Sequence, residues 1–236
     1  MSPVNESTMK KALLFVIALM ASTMLQAQEY RFNSEPNGFS ICNTRNNQLT
    51  IKHNLGAVTI EDANRAEVQG QVITLSGIYL SNVAGAPNLP SQSTYVAIPN
   101  GATASLTMVS AQTKVISNVD LIPAAVPQLD DDDSPAVYQK DMSIYGRNAF
   151  YPESPFILSE VTEIRGVQVV QVGVMPFQYN PVTKELVVYY DMELELDFGN
   201  KQHNGKLMKF IQVKGFMIGI SIIGQLIVIG ILNMKI

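Results

Sequence analysis

Apolar and polar positions are most regularly ordered between Arg165 and Phe198, and the rest of the chain is read outward from there. Val167–Val174 is Val-rich and apolar on both parities, the pattern of a strand buried on two sides. From Leu186 the alternation is strict. Leu186, Val188, Tyr190, Met192, Leu194, Leu196 and Phe198 share one face, and Val187, Tyr189, Asp191, Glu193, Glu195 and Asp197 the other. Between the two runs lies Tyr179-Asn180-Pro181-Val182-Thr183, where Asn suits the first position of a type I turn and Pro presets φ at the second. The expectation is an antiparallel hairpin of these two runs with one wet face. Burying its apolar side chains, at ~1.5–3 kcal/mol each, requires a second sheet.

Further strands are expected around Phe39–Cys42, Leu49–Lys52, Val68–Leu80 and Lys114–Ile122. Ser93–Pro99 and Ala104–Ser110 flank Asn100-Gly101, which predicts a second hairpin. Gly85-Ala86-Pro87-Asn88-Leu89-Pro90 reads as a rigid extended connector, because its prolines remove donors and restrict the residues before them. Pro123–Pro135 is a loop containing Asp130-Asp131-Asp132-Asp133, and Val137–Pro155 is irregular. No helical period runs between Glu29 and Gly199. The fold class expected is all-β: one antiparallel, jelly-roll-like β-sandwich over residues 28–199.

The two ends read differently. Met9-Lys10-Lys11, the apolar run Ala12–Ala21 and then Leu25-Gln26-Ala27 have the order of a secretory signal, with Met9 a better initiator than Met1 and cleavage after Ala27. Residues 1–27 are therefore expected to direct export, to the cell envelope or beyond. After Phe198 the composition breaks. Residues 200–214 are Lys-rich, and Phe216–Leu232 is an uncharged apolar run expected to be helical. It is long enough to span a bilayer, but Lys201, Lys206, Lys209 and Lys214 precede it and only Lys235 follows, against the positive-inside tendency. A membrane anchor and a tail translated out of frame remain competing readings.

Composition narrows the function. Of 236 residues 47% are hydrophobic and only 15% charged, and the net charge of −4 comes with no basic cluster before the tail, which argues against nucleic acid as a partner. Catalysis has few carriers. The single Cys42 and the two histidines, His53 and His203, are too few for a zinc site, and a core thiol with a surface imidazole is the expectation for Cys42 and His53. No cofactor is expected. Asp130–Asp133 lacks the spaced ligands and central Gly of a calcium loop, so it reads as a solvated acidic loop.

Residues 85–198 nevertheless carry a resemblance. The Gly85–Pro90 connector, Tyr151-Pro152, Pro155-Phe156-Ile157-Leu158 and above all Pro176-Phe177-Gln178-Tyr179-Asn180-Pro181-Val182-Thr183 are similar, in the same order, to the propeptide of gingipain-type cysteine peptidases. The resemblance implies a non-catalytic β-sandwich prodomain that assists folding of a following catalytic domain and blocks its active site with a loop. The partner it implies is that cysteine peptidase catalytic domain. By order along the chain, the matching loop is Leu121–Ala136, with Pro127, Gln128, Leu129 and Asp130 as its candidate inhibitory residues. Pro176, Gln178, Tyr179, Asn180 and Pro181 are implied to be structural.

Two departures stand out. No catalytic Cys or His follows the matched region, so the chain reads as a prodomain cut short. No Lys or Arg occurs between Lys114 and Lys140, so the basic plug implied for the loop is missing. The alternative is an exported surface module binding protein or glycan, for which Tyr145, Phe150 and Tyr151 are the clustered aromatic candidates.

Overall fold

The computed structural model describes residues 27–33, 35–45, 47–77, 82–128 and 134–199, together with the backbone of 208–213, 216–223 and 226–227. In chain order the strands are β1 (Gln28–Arg31), β2 (Gly38–Arg45), β3 (Gln48–Asn54), β4 (Ala57–Arg65), β5 (Val68–Thr74), β6 (Gln92–Ala97) and β7 (Ala104–Ile116). A single turn of helix, α1 (Met142–Tyr145), precedes β8 (Phe156–Leu158), β9 (Thr162–Ile164), β10 (Val167–Val174), β11 (Phe177–Asn180) and β12 (Glu185–Phe198). The architecture is nearly all β, with the strands paired antiparallel.

β12 is the spine. Along one edge it pairs with β7, from Leu186↔Ile116 to Phe198↔Ala104. Along the other it pairs first with β11 and then with β3, which in turn carries β2. The strict alternation is what allows this, because one face of β12 is buried almost without interruption: Leu186, Val188, Met192, Leu194 and Leu196 have no exposed surface. At its middle Asp191 adopts φ +56°, a left-handed conformation that a short polar side chain tolerates, and the pairing with β7 shifts register there.

Two further sheets cover that face. One has the order β6-β10-β8, with β9 also on β10; the other is β1-β4-β5. They divide the core. Leu186 and Val188 pack with Val58, Ile60, Ile73 and the loop residues Val119 and Leu121, whereas Met192, Leu194, Leu196 and Phe198 pack with Val96, Val170, Val172 and Val174.

The long hairpin expected between Val167–Val174 and Leu186–Phe198 does not form. β10 lies in the facing sheet, as its apolar character on both parities suits, and only the four residues of β11 turn back onto β12. The cause is Pro176. It has no N–H to continue a ladder, and the chain bends there, with the Phe177 N–H bonded to the Met175 carbonyl at 2.7 Å. The turn itself is as expected: the Asn180 side chain accepts from the Val182 and Thr183 N–H groups, and Lys184 closes the loop at φ +55°.

The second expected hairpin fails for a related reason. A turn forms at Asn100-Gly101, with the Ala102 N–H on the Pro99 carbonyl and Gly101 at φ +70°. Its flanks then part, β6 to β10 and β7 to β12. Lys114–Ile122 is likewise not a separate strand. β7 runs through to Ile116, and Asn118 at φ +61° turns the chain away.

The apolar tail, expected as helix, is described in part and there as strand: β13 (Met208–Val213), β14 (Phe216–Ile223) and β15 (Leu226–Ile227). β-Branched Ile favours this. Among the described residues no helix is long and apolar enough to cross a membrane. The signal-like segment before Ala27 lies outside the described residues.

Candidate functional site

The candidate loop is rooted in the core and exposed along both of its described arms. Leu121, Ile122 and Ala124 are buried, whereas Val126, Pro127, Gln128, Ser134 and Pro135 are exposed. Leu129 and Asp130–Asp133 lie outside the described residues. The neck is closed by the Val126 N–H on the Val137 carbonyl at 2.9 Å, and again by the Gln128 amide on the Ser134 carbonyl at 2.6 Å. Of the candidate residues, Pro127 and Gln128 therefore sit on the exposed arm just beyond the neck.

The root is held on three sides. Residues 120–122 run along β5: the Gln71 N–H bonds to the Asp120 carbonyl at 2.7 Å, and the Ile122 N–H to the Gln71 carbonyl at 3.0 Å. A Cβ on Gly70 would lie 2.6 Å from the Asp120 carbonyl, so this contact demands glycine there. On the second side is the Gly85–Pro90 connector. Gly85, at φ +82°, donates to the Ala124 carbonyl, Asn88 donates to the Ile122 carbonyl, and the Gly85 carbonyl accepts from Asp141 at the N-cap of α1.

Two buried tyrosines form the third side. The Tyr179 hydroxyl donates to the Val119 carbonyl at 2.9 Å and faces the Leu121 N–H at 3.4 Å. The Tyr145 hydroxyl donates to the Leu121 carbonyl at 3.0 Å. Burial pushes both phenols up, Tyr179 to about 12 and Tyr145 further, so they remain neutral donors at any physiological pH. At the surface Asp120 pairs with Lys184 at 2.7 Å and Lys140 at 3.6 Å. Burial pulls the Asp120 carboxyl up, but the two ammonium groups outweigh it and hold it below the usual carboxylate range.

The other motif residues serve as brackets. Pro176 accepts from the Tyr189 N–H, and the Gln178 side chain donates to the Pro152 and Glu153 carbonyls while accepting from the Tyr189 hydroxyl. Asn180 donates to Asn148. Pro181 follows at the turn. Together they fix the irregular 145–155 segment against β11, with Tyr151 and Tyr179 exchanging backbone bonds.

The two basic residues that follow the loop have different surroundings. Lys140 is committed to Asp120 and lies over the Tyr145 ring at 4.9 Å; Arg147 is exposed beyond α1.

Cys42 and His53 exchange the places expected of them. Cys42 falls where the pairing of β2 with β3 slips, between Ile41 and Asn43, and is exposed. His53 continues the inward parity of Leu49 and Ile51 and is fully buried. The thiol and the imidazole thus face opposite ways, which removes the one Cys/His pair among the described residues from catalysis. No group of three or more His, Cys, Asp or Glu side chains could hold a metal ion among the described residues.

Sequence reasoning missed the root cluster. Asp120, Lys140, Lys184 and Tyr145 come from separate stretches, and only the fold shows that they meet.

Comparison with known proteins fits this geometry. The model of the Propeptide_C25 family matches residues 28–214. The chain belongs to that family. The matched segment runs past the composition break at Asn200. Gingipain R1 from Porphyromonas gingivalis is 26% identical over 216 residues, covering 88% of this chain and 21% of that protein. Lys-gingipain from the same organism is 25% identical over 206 residues, covering 80% of this chain and 12% of that protein. The chain thus spans about a fifth or less of the length of these relatives, and the family it matches is that of a propeptide, a non-catalytic unit. Two solved structures share the fold at 20% identity. One, reported as structural insight into zymogenic latency of gingipain K, has a TM-score of 0.63 and covers 75% of this chain and 100% of its own. The other, the complex of Porphyromonas gingivalis RgpB pro- and mature domains, has a TM-score of 0.61 and covers 70% and 88%.

Proposed function

We propose that this chain is the exported prodomain of a gingipain-type cysteine peptidase, built as a jelly-roll-like β-sandwich that assists folding of its catalytic domain and blocks the active site with the segment between Val126 and Val137. The observation that carries this is a loop whose described arms are exposed, closed at its neck and rooted in the core by two tyrosines, a connector and a strand edge. A root and neck so fixed present the loop from one place, which lowers the conformational entropy lost on entering a cleft. Export is inferred from the signal-like order of residues 9–27.

The missing basic plug sets the specificity. A peptidase selective for Lys or Arg holds an acid in its specificity pocket, and a loop offering Asp130–Asp133 is repelled there. At about 4 Å, like charges cost on the order of 4 kcal/mol at an effective dielectric near 20, roughly a thousandfold in affinity. Gln128 or Leu129 is therefore the pocket occupant, and the cognate enzyme is not a strict Lys/Arg peptidase. Inhibition of a Lys- or Arg-specific gingipain-type peptidase tests this. The parent chain should inhibit weakly and Gln128→Arg clearly better. Strong inhibition by the parent that vanishes in Lys140→Ala or Arg147→Ala would place the plug elsewhere.

The binding-module alternative loses its platform. Tyr145 is buried and Tyr151 is bonded to Asn82, which leaves Phe150 alone exposed among the three aromatic candidates.

A further inference from the structure

His53 is used by none of the above, and its surroundings are unusual. It sits mid-strand in β3, paired with Phe39 of β2 on one side and Met192 of β12 on the other, and it points at the facing sheet. The imidazole has no exposed surface, and neither ring nitrogen meets a hydrogen-bond partner among the described residues. Gln92, on β6 of the opposite sheet, faces the ring, and its own Oε1 is also buried without a partner. Phe39 presents its ring at 69° with centroids 4.9 Å apart. A native core leaves few buried polar atoms unpaired, and here three gather at one sheet–sheet contact.

We propose that His53 and Gln92 form an acid-sensitive latch between the two sheets, held shut while the imidazole is neutral and forced open when it takes up a proton. A neutral ring is tolerated as a flat, nearly apolar group between Phe39 and Met192. An imidazolium there has no counter-ion among the described residues. The groups facing it are Phe39, Met192 and the Gln92 amide, and the β10 residue opposite Gln92 is Val174; none is charged. The nearest ionised groups along these strands, Lys52 and Asp191, pair with one another at 2.6 Å on the outer face of the central sheet, and Glu35 acts on Lys52 from the turn before β2. Burial accordingly drives the His53 pKa down to about 4, against a small upward pull from Gln92.

The direction follows from linkage. Between about pH 6.5 and the depressed value the unfolded chain binds a proton that the folded chain does not, so stability falls as pH falls through that window. The depression corresponds to a shift of roughly 100-fold in the folding equilibrium between pH 7 and pH 4, because the folded-state imidazole is itself half protonated at the lower value. Carboxylates such as Asp120 and Asp141, whose values are lowered from 3.8, act below this window and leave it to the histidines. If the chain inhibits a peptidase as proposed above, acidification releases the enzyme by loosening its prodomain.

The test uses the full chain, in which the only other histidine is His203. Urea unfolding between pH 7 and pH 4 is compared for the parent, His53→Leu and His203→Asn. The unfolding constant of the parent and of His203→Asn should rise by about two orders of magnitude, while that of His53→Leu stays nearly flat. Should His53→Leu fail to fold, imidazole NMR of the parent decides. One ring should remain neutral to near pH 4, and its protonation should coincide with loss of tertiary signals. Titration of both rings near 6.5 in the folded chain, or an undiminished acid loss in His53→Leu, overturns the latch. Peptidase inhibition at pH 7.5 and pH 5 is read separately. Its absence at both values sinks the inhibitory reading while leaving the folding result to judge the latch.

Discussion

Tyr179→Phe isolates the anchorage of the loop from everything else that the ring does. Phenylalanine fills the same buried volume, so no cavity opens, and only the hydroxyl is lost. That hydroxyl donates to the Val119 carbonyl at 2.9 Å and faces the Leu121 N–H at 3.4 Å, both inside the core. A buried group left without a partner costs about 1–3 kcal/mol; the carbonyl loses a well-formed bond and the N–H a long one, so the sum is about 2–4 kcal/mol. At a urea m-value of about 2 kcal/mol/M this lowers the midpoint by roughly 1–2 M with m unchanged. Tyr190→Phe, at a ring stacked on Phe32, is the control and should shift far less. Tyr145→Phe strips the other hydroxyl from the Leu121 peptide, and the pair should couple in a double-mutant cycle because both act on one residue. Limited proteolysis between residues 126 and 137 should accelerate in both variants. A Tyr179→Phe shift no larger than that of Tyr190→Phe would refute the anchorage.

Leu194→Asp should abolish cooperative unfolding while Glu193→Lys is nearly silent, since only the first buries an unpaired charge; equal thermal shifts would refute the facing of β12. Gly85→Ala should cost about 1–3 kcal/mol by denaturant titration, because φ is +82° and the new Cβ meets the Gln139 carbonyl at 3.0 Å. Asp120→Asn should flatten only the acid limb below about pH 4. Its depressed carboxylate stabilises the fold above the unfolded value and stops doing so as pH falls through the folded one, so a changed slope between pH 5 and 7 would contradict the assignment.

Local pattern was enough for the elements but not for their partners. The alternation from Leu186 to Phe198 gave the buried face of β12 residue by residue, and the two-sided apolarity of Val167–Val174 gave a strand covered on both faces. What it could not give was that Pro176 sends these strands to different sheets, because periodicity reports burial and is silent on pairing. The same holds at Asn100-Gly101, where a genuine turn signal joins strands that never meet. β4 (Ala57–Arg65) passed unnoticed among turn residues although Val58 and Ile60 alternate. His53 was legible: it follows Leu49 and Ile51 at the same parity, and the expectation of a surface imidazole came from residue type where position should have ruled. At the loop, the proline-rich, acidic composition of 123–135 was enough to expect an exposed segment, and Pro127 and Gln128 are exposed. Its root, assembled from Gln71, Gly85, Asp120, Tyr145 and Tyr179, spans more than a hundred residues and has no local signature.

The division of the core ties these features to one another. β12 passes through both halves, with Leu186 and Val188 beneath the loop root and Met192 beside His53. Only the left-handed turn of the backbone at Asp191 separates them, and Asp191 is itself pinned to Lys52, the neighbour of His53 on β3. Neither half can lose its packing without exposing part of the same strand. A proton taken up at His53 therefore does not have to travel to the loop by any chain of side-chain movements. It is enough that it weakens the sheet contact that β12 shares, since Tyr179, whose hydroxyl holds the loop root, sits on β11 paired to Leu186 on β12. On this account inhibition and global stability should fall together under acid, urea or heat, and a condition that abolished inhibition with the fold intact would show that the two halves are independent.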